Sequence, residues 1–147
     1  MKLTEHFSME ELITSDTALR RGIDQTPPPA VAQALRDTAS QMEVVRALLG
    51  NRPIIVNSGY RSPMLNKIVG GAANSDHLRG MAVDFTCPEF GTPLEIVKFL
   101  ASQPTLQFDQ LIQEGTWVHI SFAPGLRREI LTAHFGPAGT TYSKGVA

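Results

Sequence analysis

Only one cysteine, Cys87, occurs among the 147 residues. A single thiol closes no internal disulfide and builds no thiolate metal cage, so any bound metal must use nitrogen and oxygen ligands. Cys87 itself is expected to be a small buried apolar residue. Charge imbalance is missing too: 13 basic and 14 acidic side chains give a net charge of -1, with no run of either sign. Neither nucleic acid nor an anionic membrane is therefore an expected partner. No apolar stretch approaches the roughly 20 residues of a membrane span, so no membrane insertion is expected. The opening MKLTEHFSMEEL has no apolar signal region before its first acids. The chain thus reads as cytoplasmic as synthesised, and any substrate outside the membrane must be reached through another agent.

What is present is enough for one core. With 42% hydrophobic content, the chain is expected to form a single domain over residues 1–135. The Gly-rich and polar segment 136–147 has little to bury and is expected to be a flexible tail. Ser8-Met9-Glu10-Glu11 has the pattern of a capping box and predicts a short first helix. Pro27-Pro28-Pro29 leads into a long helix from about Ala30, in which Val31, Ala34, Leu35, Met42, Val45, Leu48 and Leu49 recur at near-helical spacing before Gly50. Pro53 to Ser58 reads as a short buried strand, and Ser62-Pro63 opens a helix running to about Val69. Thr92-Pro93-Leu94-Glu95 is a second capping box, for a helix to about Ala101. Arg127 to Ala133 reads as an edge strand.

The candidate site sits between these elements. Ala72 to Gly80 is a loop of small polar residues that carries His77. Met81 to Thr86 alternates, so Asp84 lies on the face opposite Met81, Val83 and Phe85. Phe108 to Gln113 and Trp117 to Phe122 are two strand signals around Glu114-Gly115-Thr116. A two-residue Gly115-Thr116 loop pairs Ile112 with His119 and sets Glu114 diagonally from His119 on one face. Two strands and a loop then bring together His77, Asp84 and His119. Three such ligands leave a zinc coordination position open, the arrangement of catalytic rather than structural zinc, and hydrolysis of an amide is the reaction class that suits it. Two other readings stay open on spacing alone. A lone histidine is often a hydrogen-bonded core or surface residue, as expected for His6 and His134, and Ser75-His77-Asp84 could form a nucleophilic triad, although Ser75 lacks the nucleophile-elbow pattern.

Ser75-Asp76-His77-Leu78-Arg79-Gly80-Met81-Ala82-Val83-Asp84 matches S-x-H-x-x-G-x-A-x-D, the motif of zinc D-Ala-D-Ala carboxypeptidases and other M15 metallopeptidases, phage endolysins among them. Trp117-Val118-His119 resembles the second motif of that family, and Ser58-Gly59-Tyr60-Arg61 carries an arginine where the family places one that binds substrate. The resemblance covers roughly residues 3 to 130 and is nearest the small branch common in prophages. It implies an α+β fold like the Hedgehog and D,D-peptidase domains, in which a small antiparallel sheet carries the zinc site and packs against a long N-terminal helix and shorter helices. It also implies one catalytic zinc ion held by His77, Asp84 and His119, with Arg61 gripping a substrate carboxylate or the carbonyl under attack. Ser75 either binds substrate or shapes the loop.

One position departs from the family pattern. Many members carry a catalytic Glu or Asp three residues before the last histidine, where this chain has Thr116. The hairpin register offers Glu114 as the general base instead. The expected substrate is a peptidoglycan stem peptide, cut at D-Ala-D-Ala or at L-Ala-D-Glu, by a monomer released to the cell wall by a phage or prophage. The other reading is an inactive peptidoglycan-binding or phage structural module, for which Thr116 is the motive.

Overall fold

Ser8 opens the first helix: its hydroxyl accepts from Glu11 N–H while the Glu11 carboxylate accepts from Ser8 N–H, capping α1 (Met9–Ile13). The structure is a computed structural model and describes residues 1–146. Ala147, the end of the expected tail, lies outside the described residues. A helix not anticipated from the sequence follows, α2 (Asp16–Arg21), capped by Ser15 and stopped by Gly22 in the left-handed region. Then come the long helix α3 (Pro29–Leu48), β1 (Ile55–Ser58), α4 (Pro63–Ile68) and a 3-10 turn at Asp76–Arg79. The chain continues with β2 (Ala82–Thr86), α5 (Pro93–Ala101), β3 (Gln110–Gln113), β4 (Val118–Ser121), β5 (Glu129–Gly136) and β6 (Gly139–Lys144). No helix among the described residues is long and apolar enough to cross a membrane.

The fold is α+β around one six-stranded sheet in the order β1-β2-β4-β3-β5-β6. It is mixed, which corrects the expectation of a small antiparallel sheet: β5 runs parallel to β3, pairing Gln110 with Glu129 and Ile112 with Leu131. The cause lies in the segment after β4, which passes over the end of β3 before the chain turns back. Arg128 N–H donates to Phe108 O at 3.0 Å and Glu129 N–H to Asp109 O at 2.8 Å. The Arg127 guanidinium makes two bonds of 2.9 Å to the buried Asp109 carboxylate. These contacts join residues about 20 apart in sequence, and no local periodicity encodes them.

The second correction concerns the C-terminal segment expected to be a tail. Residues 139–144 form β6, antiparallel to β5 from Leu131↔Lys144 to Gly136↔Gly139. Its side chains are all exposed. The strand is held by its backbone ladder rather than by buried apolar area, so hydropathy does not reveal it.

One hydrophobic cluster lies beneath the sheet. Leu35, Ala39, Met42 and Val45 of α3 and Ile96, Val97 and Leu100 of α5 join Val83, Phe85, Leu111, Val118 and Ile120 of the strands, all buried. Each of these side chains larger than alanine contributes about 1.5–3 kcal/mol by leaving water. Cys87 is buried in the same cluster as a free thiol, as expected. The opposite face of the sheet is left for polar chemistry.

Candidate metal centre and active site

Across that face runs one register row: Ser58 beside Asp84, Asp84 beside His119, His119 beside Ile112 and Ile112 beside Leu131. Because side chains alternate along a strand, fixing Val83, Phe85, Val118 and Ile120 in the core forces Asp84 and His119 to the other side together. Asp84 Oδ1 lies 2.9 Å from His119 Nδ1 and 3.3 Å from His77 Nε2. The two imidazole rings meet edge to face, 5.2 Å between centroids.

His77 comes from the 3-10 turn, and its surroundings fix the ring. Its Nδ1–H donates to Gly59 O at 2.6 Å, which leaves the Nε2 lone pair facing Asp84. The turn is capped by Ser75, whose hydroxyl accepts from His77 N–H, and the His77 carbonyl accepts from Arg61 N–H at 3.1 Å. Gly80 ends the turn at φ 71°. Its carbonyl accepts from the buried Thr38 hydroxyl at 2.7 Å, tying the loop to α3. At Gly59 a side chain has no room, since its Cβ would fall on Leu12 O, which accepts Tyr60 N–H at 2.7 Å. No ring nitrogen of His77 meets Ser75 Oγ among the described residues, so the triad reading fails on geometry. His6 and His134 are ordinary surface partners of Glu43 and Ser143.

The donor set fits one metal ion. His77, Asp84 and His119 each offer a ligand atom, and all three atoms lie within 4.8 Å of one another. A tetrahedral zinc with bonds of about 2.0–2.1 Å spaces its donors roughly 3.3 Å apart, close to the 2.9 and 3.3 Å that separate Asp84 Oδ1 from His119 and His77. His77 Nε2 is buried with no hydrogen-bond partner among the described residues, an orphan that a metal would satisfy. Burial opposes the charge on Asp84, but His77 and the hydrogen bond from His119 outweigh it and hold the carboxyl far below its ordinary range. Burial likewise opposes protonation of His119, and Asp84 overrides it to raise that pKa.

A cleft of about 670 Å³ opens over this group, lined also by Arg61, Ser75, Glu114 and Trp117. The predicted hairpin register holds: Ile112 faces His119, and Glu114 N–H donates to Trp117 O at 3.0 Å. Thr116 N–H closes back on Glu114 O around Gly115, whose φ is 76°. Thr116 stays on the exposed turn while Glu114 lines the cleft. Partial burial raises the Glu114 pKa above the usual carboxylate value, with His119 and Arg61 pulling against it and Asp84 adding to it.

Asn66 is the site residue that sequence reasoning missed. It is buried, accepts from Arg61 Nη1 at 3.1 Å and donates to Ala72 O at 2.9 Å. Arg61 Nε has no partner among the described residues. Gly71 marks the place, because a Cβ there would fall on Asn66 Oδ1 and on Arg61 Nη1.

The Peptidase M15 family model matches residues 5–121, which spans α1 through β4 and includes every residue of the group just described. The chain belongs to the peptidase M15 family. Over 47 residues it is 45% identical to the zinc D-Ala-D-Ala carboxypeptidase of Streptomyces albus G. That stretch is 32% of this chain and 18% of the carboxypeptidase, so the likeness is to a part of that protein. Both the likeness and the donor set fit one zinc ion in this M15 chain. β5 and β6 lie beyond the family match.

Proposed function

We propose that this chain is a zinc peptidase that hydrolyses a peptide bond in peptidoglycan stem peptides, at D-Ala-D-Ala or at L-Ala-D-Glu, using a Hedgehog and D,D-peptidase-like single domain. The observation that carries the reading is the convergence of His77, Asp84 and His119 beneath a cleft that also receives Glu114 and Arg61. When bound there, zinc supplies Lewis acidity that polarises a carbonyl and acidifies a water.

The remaining work falls to the chain. His77 and His119 serve as neutral nitrogen donors, His77 oriented through the Gly59 carbonyl and Asp84 supplying the anion. Arg61, braced by Asn66, holds a substrate carboxylate or the carbonyl under attack, and the guanidinium stays cationic although burial lowers its pKa. Glu114 takes a proton from the attacking water as the carbon–oxygen bond forms, then delivers it to the leaving amine nitrogen as the carbon–nitrogen bond breaks. Its raised pKa suits both halves of that transfer. Ser75 shapes the loop through its cap on His77 and borders the cleft.

The test is hydrolysis of purified peptidoglycan with fragment mass analysis, alongside metal content. One zinc per chain with a defined stem-peptide fragment supports the peptidase and names the bond. One zinc with no fragment from the wild-type chain would replace it with the inactive binding module that Thr116 motivates.

A further inference from the structure

Beyond the family match, β5 and β6 form the two strands at one edge of the sheet, and the segment after β1 carries Arg61 at the other. Glu114 follows Gln113, which pairs with Thr132, so the row continues from Glu114 to Ala133, and Ala133 pairs with Tyr142. A small residue therefore separates the two long ones. Tyr142 reaches over Ala133 into the cleft, where it and Leu131 line the same space as Glu114, Asp84 and His119.

The hairpin is anchored for this task. Phe135 of β5 packs its ring 6.4 Å from that of Trp117. A Cβ at Gly115 would stand 3.2 Å from the same phenyl ring, so the turn after Glu114 and the β5–β6 hairpin touch directly. Tyr142 keeps 52% of its surface exposed; the covered part of its ring, then the charges of Glu114 and Asp84, raise its pKa, and the phenol remains a proton donor at neutral pH.

We propose that the β5–β6 hairpin is a substrate-binding wall, in which the Tyr142 hydroxyl donates to a backbone carbonyl or carboxylate of the bound peptide and Leu131 gives that segment an apolar floor. This rests on the peptidase reading and extends it to substrate length. From β4 to β6 are three strand spacings, about 14 Å, which an extended peptide covers in about four residues; the reach of the tyrosine shortens this to about two or three. The chain thus reads the peptide two or three residues away from the bond it cuts, on the side away from Arg61. Short peptides forfeit that contact.

The experiment compares wild type, Tyr142→Phe and Tyr142→Ala on a synthetic stem peptide containing both candidate bonds, and on the same peptide shortened residue by residue, with zinc content and thermal stability measured alongside. Wild type is expected to lose about tenfold in kcat/KM, chiefly through KM, once the peptide no longer reaches Tyr142. Tyr142→Ala starts about tenfold lower on the full peptide and loses nothing further on shortening, with Tyr142→Phe between the two and zinc unchanged. The proposal is overturned if Tyr142→Ala equals wild type on the full peptide, or if it loses the same further factor on shortening. Should wild type cut no peptide, the peptidase reading fails by itself. Calorimetric binding of the full peptide then judges the wall: about tenfold weaker binding to Tyr142→Ala keeps it, and equal or absent binding to both chains overturns it.

Discussion

Asp84 and His119 are direct cross-strand partners of β2 and β4, with Asp84 Oδ1 2.9 Å from His119 Nδ1. A candidate ligand pair set by strand register depends on the sheet rather than on a loop, and removing either member leaves the other in place. His119→Ala and Asp84→Asn are each expected to weaken zinc binding by more than about tenfold while far-ultraviolet circular dichroism stays unchanged. Metal analysis after dialysis against a chelator checks this.

Glu114→Gln keeps the shape of the side chain and removes its proton chemistry. Turnover is expected to fall by about 10²- to 10⁴-fold with zinc retained. Because the Glu114 pKa lies above the ordinary value, the acid limb of the wild-type kcat/KM profile should fall away at a pH higher than a solvated glutamate would give. A wild-type profile flat down to the usual carboxylate range would count against Glu114 as the base.

Asn66→Ala unbraces Arg61 and frees the Ala72 carbonyl without touching a metal ligand. A displaced positioning group costs on the order of 10- to 100-fold in kcat/KM. Steady-state kinetics with zinc content held as the control measures it. Gly71→Ala, which drives a methyl into the same two side chains, is expected to do likewise.

Thr38→Val deletes the buried hydroxyl that serves the Gly80 carbonyl. Leaving that acceptor without a donor costs about 1–3 kcal/mol, visible as a lower denaturation midpoint with an unchanged urea m-value.

Arg127→Met tests the crossing that makes the sheet mixed. The hydrogen bonds and charge of Arg127 hold the Asp109 pKa below its ordinary value despite burial. A carboxyl depressed in the folded state stabilises it above the unfolded pKa of about 3.9, and that contribution disappears as pH falls through the lower folded value. The loss in Tm is therefore expected to be larger at pH 7 than near pH 2. An equal loss at both would remove the ion pair as the cause.

The zinc-site strands were legible because their information is local. Alternation in Met81–Thr86 and a Gly-containing turn after Glu114 suffice to place Asp84, Glu114 and His119 on one face, and the structure has that register. Asn66 was illegible because its two partners lie in different loops. β6 was illegible because its ladder rests on β5, whose own position depends on the Asp109–Arg127 clasp. The helix α2 had a readable cap at Ser15 and a readable stop at Gly22, but little apolar periodicity between them.

The tight approach of Gly59 to Leu12 bears on the order of assembly. The Leu12 backbone packs against Gly59 and accepts from Tyr60 N–H, the Gly59 carbonyl accepts from the His77 ring, and His119 arrives last along the chain. During synthesis, a chain that has not yet reached β4 offers only two of the three candidate donors, and one of these, His77, is oriented through Gly59, which packs on Leu12 of α1. Completion of the candidate site therefore waits on the pairing of β4 with β2, while β5 and β6 are still to be added to the sheet.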